Sequence, residues 1–549
     1  MDEIVKEISA KEFYEIFKRF KYFNNIFIGL EVKNKNFGCG KIQSFKENAG
    51  DFLITVKFVN DGVFNFSMKS FEIYFQSVKL PSKKLKIINK WMQKKYSIIF
   101  SRKLFISKRF KRRYFYPKKK GYKPAYFMFK TFIEQLRQKY KNFGIYHYTD
   151  FTNLESIFKE GFLYSRVDCV KKGLQFTDGA DHDVLSIAPD DVKNKVRFYF
   201  RPNTPTLFEN EGIKLPAYIG KAHMPIPVCL LFDDELILLD TTEFSNGNAT
   251  SIKYTQIGST YAFFKSMEWD LIFHERYIEP FERNKIVNRR NSELLSTKPV
   301  SLKYLKKVIF RTKADFKRAC NLFGMNKKFC VDINYFSDKS RNYYSEEKMV
   351  NFILDYNIDV YFNKQRRISS IKLELYSWRH HEDYKIEVRF LDKRGYVLPF
   401  DNFRIEKSTN ISITDGMFLY VDLYNIKGDF SYVEKVEVLM NNIVCVEEFL
   451  DRFKIKDVKI NLNSCMKGVD VLFEIMIVDV SLLFSKHSAW LYTSNDERKY
   501  PDLEESKIIS FEKILLKQTY YNIQKEDVEV INYMVDNKIM KSIIVRKGE

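Results

Sequence analysis

Four short stretches hold the residues best suited to chemistry. In "NRRNSELLS", residues 288–296, one carboxylate, Glu293, stands between two arginines and an apolar pair. It reads either as a salt-bridged strand edge or as a working acid. In "FGIYHYTDFTNLESIFKEGFLYS", residues 143–165, His147, Thr149 and Asn153 fall where a strand end meets a helix start. Thr152 and Glu155 have capping-box spacing, and Gly161 suits the helix end. Such a junction favours a ribose or a pyrophosphate, although a lone histidine fits a buried, satisfied side chain equally well. In "KVRFYFRPNTPTLFENEGI", residues 195–213, Arg201 and the hydroxyls of Thr204 and Thr206 sit in a proline-stiffened turn beside a strand end. They can meet a phosphate or a base there, or simply make a rigid turn. In "ILLDTTEFSNGNATS", residues 237–251, a loop carries Asn246, Gly247 and Asn248.

Elements must hold these residues in place. Residues 141–340 mix helix and strand patterns: "PVCLLFD" (227–233) reads as a core strand, and "FFKSMEWDLIFHERY" (263–277) as an amphipathic helix leading toward Glu293. Residues 1–28 read as a short helix with apolar positions Ile4, Ile8, Phe13 and Ile16 or Phe17. Residues 29–80 alternate apolar and polar types between glycine turns, and Asn60-Asp61-Gly62 is a hairpin signal. Five short strands there predict a small SH3-like barrel. The pattern "FGCGKI" followed by "VKFVNDGVFNF" resembles Tudor-like modules. Residues 341–549 alternate again, predicting a β-sandwich-like domain over about 355–450 and an α/β tail, with no internal repeat evident.

Composition narrows the classes. The chain has 549 residues, enough for several domains, and a net charge of +22. Residues 1–140 carry 32 Lys and Arg against 11 Asp and Glu, so nearly all of the excess lies at one end. Such asymmetry points to a polyanion partner, nucleic acid first. Residues 101–124 hold eleven Lys and Arg and no acid, with aromatics interleaved. Cations there would neutralise phosphates and rings would stack on unpaired bases. Lys108, Arg109, Lys111, Arg112 and Arg113 are the expected nucleic-acid contacts; the plain alternative is a solvated basic linker. No run of eighteen apolar residues exists, and the charged, amphipathic first residues are unlike a signal peptide. Seven cysteines without CxxC spacing argue against a zinc site or a disulfide framework and for a reducing, cytoplasmic setting.

The four stretches, in this order, resemble the DarT family of NAD-dependent nucleic-acid ADP-ribosyltransferases. The matching segments are Ile145–Leu154, Phe198–Leu207, Phe244–Ala249 and Arg290–Leu295. The resemblance implies an ADP-ribosyltransferase fold of split mixed β-sheets with helices, NAD as co-substrate and no metal. It implies that His147, Thr149 and Asn153 hold the NAD. It makes Glu293 the catalytic acid, bonded to the 2-hydroxyl of the nicotinamide ribose. A fixed carboxylate in a dry site offsets the charge of an oxocarbenium-like transition state. The acceptor would be a base in single-stranded DNA, where no duplex must be unstacked. Two departures stand out. Asn203 occupies a turn position where the family often has arginine, and Arg166 is the sole arginine between Gly161 and Lys195. An arginine there helps deprotonate the base in some members; His182, Arg197 and Arg201 are the candidates to replace it, and Arg201 is taken as the second catalytic residue.

The expected architecture is therefore an α+β multidomain chain. Residues 1–80 form the helix and SH3/Tudor-like barrel, 81–140 a basic helical linker, 141–340 the transferase domain and 341–549 a mainly β region. The expected role is a toxin or phage-defence effector with single-stranded DNA and an antitoxin as partners and no membrane. The same transfer onto RNA or protein, or an inactive nucleic-acid-binding protein, are the alternatives.

Overall fold

The computed structural model describes residues 5–20, 27–48, 51–59, 62–68, 71–81, 84, 120–124, 126–179, 190–219, 223–251, 254–338, 346–378, 384–414, 417–495 and 497–545. The chain divides into two compact units, Met1–Glu134 and Gln135–Glu549. Lys108, Arg109, Lys111, Arg112, Arg113 and His182 lie outside the described residues.

In the first unit, β1 (Val5–Ser9), β2 (Glu31–Asn34), β3 (Gly38–Asn48), β4 (Asp51–Phe58), β5 (Gly62–Ser67) and β6 (Phe75–Pro81) form one antiparallel sheet, ordered β1-β6-β2-β3-β4-β5. The helix spans only Ala10–Phe20, not 1–28. Val5–Ser9 pairs instead with β6, because Ile8 is buried between exposed Glu7 and Ser9, a period of two that suits a strand. Phe13, Ile16 and Phe17 recur at helical spacing and join Phe27, Ile42 and Ile54 in the core. Residues 29–80 hold the five expected strands and β1 adds a sixth, but among the described residues no pair joins the edge strands β1 and β5, so the sheet is not closed into a barrel.

The second unit opens on ten strands: β7 (Ile145–Asp150), β8 (Phe162–Leu163), β9 (Val196–Tyr199), β10 (Pro227–Phe232), β11 (Thr242–Ser245), β12 (Ile257–Gly258), β13 (Glu293–Ser296), β14 (Val300–Ser301), β15 (Leu305–Phe310) and β16 (Phe329–Val331). Eight of them make a mixed sheet, ordered β12-β11-β13-β9-β7-β10-β15-β16, in which β15 and β16 run parallel. β7 and β9 meet at one pair only, Tyr146 with Tyr199. The sheet is therefore two halves joined at a point, and the strands diverge beyond it. "FFKSMEWDLIFHERY" is two short helices, Tyr261–Ser266 and Trp269–Ile272, rather than one. The break lets Trp269 stack edge-on against Phe200, with ring centroids 5.2 Å apart, while its indole N–H donates to the Phe264 carbonyl.

Beyond residue 346 the described residues contain strands and 3-10 turns but no α-helix, so the expected α/β tail is replaced by β structure. Strands 353–362, 368–377, 417–428 and 403–414 make one sheet in that spatial order, and 386–391, 435–440 and 443–449 a second. The next segment repeats the plan. Strands 455–465, 468–477, 513–521 and 503–510 form one sheet; 487–493, 528–535 and 538–544 form the other, with 498–499 added at its edge. In chain order both read 1-2-5-4 facing 3-6-7, apart from the added edge strand, which is the strand arrangement of an immunoglobulin-like sandwich. The repeat reaches single residues. Asn441 and Asn442 turn one hairpin with φ of 48° and 66°; Asp536 and Asn537 turn the other with 48° and 65°. Asn441 Oδ1 accepts from the Lys385 N–H and Asp536 Oδ1 from the Lys486 N–H, each at 2.8 Å. The internal repeat absent from the sequence reading is thus a tandem pair of sandwiches.

Both sandwiches pack on the helix Lys313–Phe323. Arg318 reaches Glu447 at 2.8 Å and the Val444 carbonyl at 2.6 Å, and Met325 N–H donates to Asn532 Oδ1 at 2.9 Å.

Candidate active site

The site begins at the split between β7 and β9. Side chains on β7 alternate, so His147 and Thr149 share a face. The His147 ring Nδ1 lies 2.9 Å from the Arg197 carbonyl and bridges the two half-sheets where ladder bonds end. As donor to that carbonyl, Nδ1 carries the proton and Nε2 keeps its lone pair. Burial holds the imidazole pKa below its ordinary value. The ring is thus neutral at physiological pH.

Asp150, not Thr152, caps the turn that follows: its carboxylate accepts from the Thr152 N–H at 3.0 Å and the hydroxyl at 2.8 Å. The predicted capping box of Thr152 and Glu155 does not form among the described bonds; a one-way Asp150 cap two residues earlier takes its place. A carboxylate binds the free N–H groups of a helix start more strongly than a hydroxyl does. The helix Leu154–Glu160 ends at Gly161, whose φ of 71° is a left-handed cap. Asn153 is buried and fully committed. Its amide N donates to Thr149 Oγ1 and the Thr177 carbonyl, both at 2.9 Å, while Oδ1 accepts from the Thr177 N–H at 2.8 Å. Asn153 therefore fixes the Thr149 hydroxyl as an acceptor, leaving the hydroxyl proton for another partner.

On the other half-sheet the register brings the charged residues together. Glu293 pairs with Tyr199, Leu295 with Arg197, and Ser245 with Glu293, so all five share one face. Glu293 is fully buried. Arg197 grips its carboxylate with a two-pronged fork, Nε to Oε2 at 2.6 Å and Nη2 to Oε1 at 2.7 Å. The Ala249 N–H adds a bond to Oε1 at 3.2 Å, and Asn248 Oδ1 accepts from Arg197 Nη2 at 3.4 Å. Gly247 leaves room in that loop for the Asn288 side chain, which a Cβ there would displace. Burial lowers the pKa of Arg197, but the Glu293 charge more than restores it. Tyr199 is pushed up to about 12 by burial and by the same carboxylate. Just before β9, the buried Lys195 bridges Asp191 and Glu243 at 2.5 and 2.6 Å.

Between the halves lies a cavity of about 510 Å³ whose wall includes His147, Thr149, Asn153, Arg197, Tyr199 and Asn248. Arg166, at its edge, is paired with Asp178 at 2.6 Å. Glu293 stands immediately behind Arg197. The arrangement thus sets a neutral imidazole, a hydroxyl and a guanidinium on one cavity, with a carboxylate in reserve.

The structure does not bring Arg201 to this group. Its guanidinium donates to the carbonyls of Pro202, Ile272 and His274 at 3.2, 2.9 and 3.1 Å. Thr204 and Thr206 are likewise engaged. The first caps the helix Pro205–Asn210 and the second donates to Asn291 Oδ1 at 3.0 Å, steadying the approach to Glu293. Asn203 has a φ of 53°, a conformation asparagine tolerates better than arginine. Arg197 was only one of three candidates in the sequence. The signal that singles it out is cross-strand register, which pairs β9 with β13.

A divided sheet thus flanks a polar cleft, with a fully buried carboxylate behind its wall. Residues 146–337 match the family model described as "ssDNA thymidine ADP-ribosyltransferase, DarT". Among solved structures, DarT from Thermus sp. 2.9 in complex with ADP-ribosylated ssDNA is similar at 13% identity and a TM-score of 0.30, over 36% of this chain and 97% of that one. The same protein in complex with NAD+ gives 13% identity and a TM-score of 0.29, over 36% and 98%. Thermosipho africanus DarTG in complex with ADP-ribose gives 16% and 0.29, over 35% of this chain and 50% of that chain. No curated protein sequence matches the chain.

Proposed function

We propose that this chain transfers ADP-ribose from NAD to a thymine base in single-stranded DNA. The observation that carries the reading is the Glu293–Arg197 pair, set behind the His147–Thr149 cleft in a domain that matches the DarT family. NAD lies in the cleft, with His147 Nε2 and the Thr149 hydroxyl as polar contacts and Asn153 holding Thr149. The Arg197 guanidinium turns toward the ligand, and Glu293 accepts the 2-hydroxyl of the nicotinamide ribose. The bond from ribose to nicotinamide breaks with its electron pair leaving on nicotinamide. The Glu293 carboxylate offsets the positive charge that develops on the sugar. A ring nitrogen of the base then forms the new bond and loses its proton to solvent.

We read the remaining regions around this centre. Residues 1–80, within the first unit, serve as an SH3/Tudor-like module; their sheet order and embedded helix support that reading. The basic segment 81–140 with Lys108–Arg113 guides the strand, the transferase domain spans 141–340, and 341–549 is an accessory β region. The chain acts in the cytoplasm as a toxin or anti-phage effector countered by an antitoxin. Among the described residues no helix is long and apolar enough to cross a membrane. The deciding experiment is incubation with NAD and matched single-stranded DNA, duplex DNA, RNA and bulk protein, read by intact mass. Addition of one ADP-ribose to single-stranded DNA alone is expected. Labelling confined to RNA or protein would overturn the DNA reading.

A further inference from the structure

Three residues before Glu293 lies a cation with nothing to bind. Arg290 is the last residue of the helix Arg283–Arg290 and is only partly exposed. Its Nε is buried without a hydrogen-bond partner, and among the described residues its guanidinium makes no ion pair or hydrogen bond. Arg289 beside it, by contrast, bonds Glu268 at 2.7 Å and the Tyr254 carbonyl at 3.0 Å. A second guanidinium stands close by. Arg201 has its pKa lowered to about 10, by burial first and then by the charge of Arg290. The acid nearest this pair is Glu275, 4.0 Å from Arg201 and 68% exposed. His274, whose carbonyl Arg201 holds, has a buried Nδ1 that also lacks a partner.

The charges of Arg201, which is buried, and Arg290, which is partly exposed, repel, and an unbonded buried N–H forfeits its hydration without return. A helix C-terminus favours a cation but offers Arg290 no acceptor for Nε. Such a guanidinium is suited to an anion. Arg201 and Arg290 are not part of the cavity wall formed by His147, Thr149 and Arg197, so an anion held by them would lie beyond that cavity. The chain next to them, after His274, exposes Tyr277 at 78% and Phe281 at 84%. Exposed rings beside a cation pair are what unpaired bases and their backbone use.

We infer that Arg290, supported by Arg201, binds one phosphodiester of the acceptor strand, the linkage next to the base presented to Glu293. The inference rests on the proposed transfer to single-stranded DNA. Arg201 spends its own bonds on backbone carbonyls and acts by placing positive charge. Arg290 makes the direct contact, through Nε and a terminal nitrogen in the fork that phosphate oxygens favour.

The test uses the full chain with Arg290→Gln and Arg290→Lys, checked for unchanged melting. A fluorescent single-stranded oligonucleotide reports strand affinity by anisotropy across a salt series, and NAD affinity is measured separately by calorimetry. For Arg290→Gln, strand Kd is expected to rise about 10-fold and the salt slope to fall by roughly 0.7, the share of one phosphate on a single strand. NAD Kd should not change, and Arg290→Lys should recover part of the loss. A scan with single neutral methylphosphonate linkages should find one position whose substitution weakens the wild type but not Arg290→Gln. If NAD Kd rises and strand Kd does not, the anion is the NAD pyrophosphate and the inference is wrong. If neither changes, Arg290 binds no anion. Wild-type protein that modifies no DNA would instead defeat the functional reading on which this site depends.

Discussion

Two parts of the second unit bury arginines, and they treat them in opposite ways. At the helix Lys313–Phe323, Arg318 spends its guanidinium on Glu447 and a carbonyl and lies 4.2 Å over the Phe151 ring. Arg311, with 0% of its side chain exposed, pairs with an equally buried Glu211 at 3.2 Å and donates to the Ser337 carbonyl. Around β9 and β13, Arg197 keeps Nη1 free of any protein partner and Arg290 makes no bond at all among the described residues. Both regions carry the desolvation cost of burial. In the first the protein supplies each arginine with a carboxylate, although Arg311 Nε, like Arg290 Nε, is buried without a hydrogen bond. In the second Arg290 has none among the described residues, and the open valences are those a ligand would fill.

The comparison breaks if the two sets of arginines respond alike to mutation. The largest effect is expected at the docking helix. Arg318→Ala leaves Glu447 with Lys435 as its remaining cation and the Val444 carbonyl without its donor, and should lower stability by about 3 kcal/mol. Chemical denaturation should register that loss, while kcat per folded molecule stays near wild type.

Arg197→Lys should do the reverse. It keeps the charge but loses one prong of the fork, worth roughly 1.5–3 kcal/mol if that bond matters in the transition state. Single-turnover transfer should slow by about 10–100-fold with melting shifted by only a few degrees.

The smallest effect sharpens the comparison from within the docking region. Asp315 is its misfit. The carboxyl is buried, Oδ2 has no partner, and burial pushes its pKa up to about 6. A folded value above the unfolded one, about 4, means the native state carries a penalty when Asp315 is ionised. That penalty is complete above pH 6, shrinks as pH falls through 6, and is gone below about pH 4. Asp315→Asn should therefore raise stability by roughly 1–2 kcal/mol at pH 8 and hardly at all at pH 4. Melting curves at the two pH values check it.

Much of the local frame was legible in residue order: the strand holding His147, the Gly161 cap and the loop with Asn248 follow from local spacing. Local spacing left Glu293 open between a salt-bridged strand edge and a working acid, and only the family resemblance favoured the acid. What was hidden depends on partners distant in sequence. Arg197 meets Glu293 only through the pairing of β9 with β13, and Arg201 is consumed by carbonyls some seventy residues away. The commitment of Asn153 to Thr177 needs the loop between them to fold back. The tandem sandwiches escaped for another reason. Their likeness lies in strand order and in one latch, Lys385 with Asn441 and Lys486 with Asp536, while most residues differ. Alternation identifies strands without saying which strand pairs with which.

The most direct test sets the two buried glutamates side by side as Glu293→Gln and Glu447→Gln, each measured for melting and for single-turnover ADP-ribose transfer to single-stranded DNA. Removing charge at Glu293 should cut transfer by about 10²–10³-fold or more, with melting little changed. Removing it at Glu447 should lower the melting point, with transfer by the folded fraction preserved. Equal loss of transfer in both variants, or full transfer by Glu293→Gln, would contradict the account.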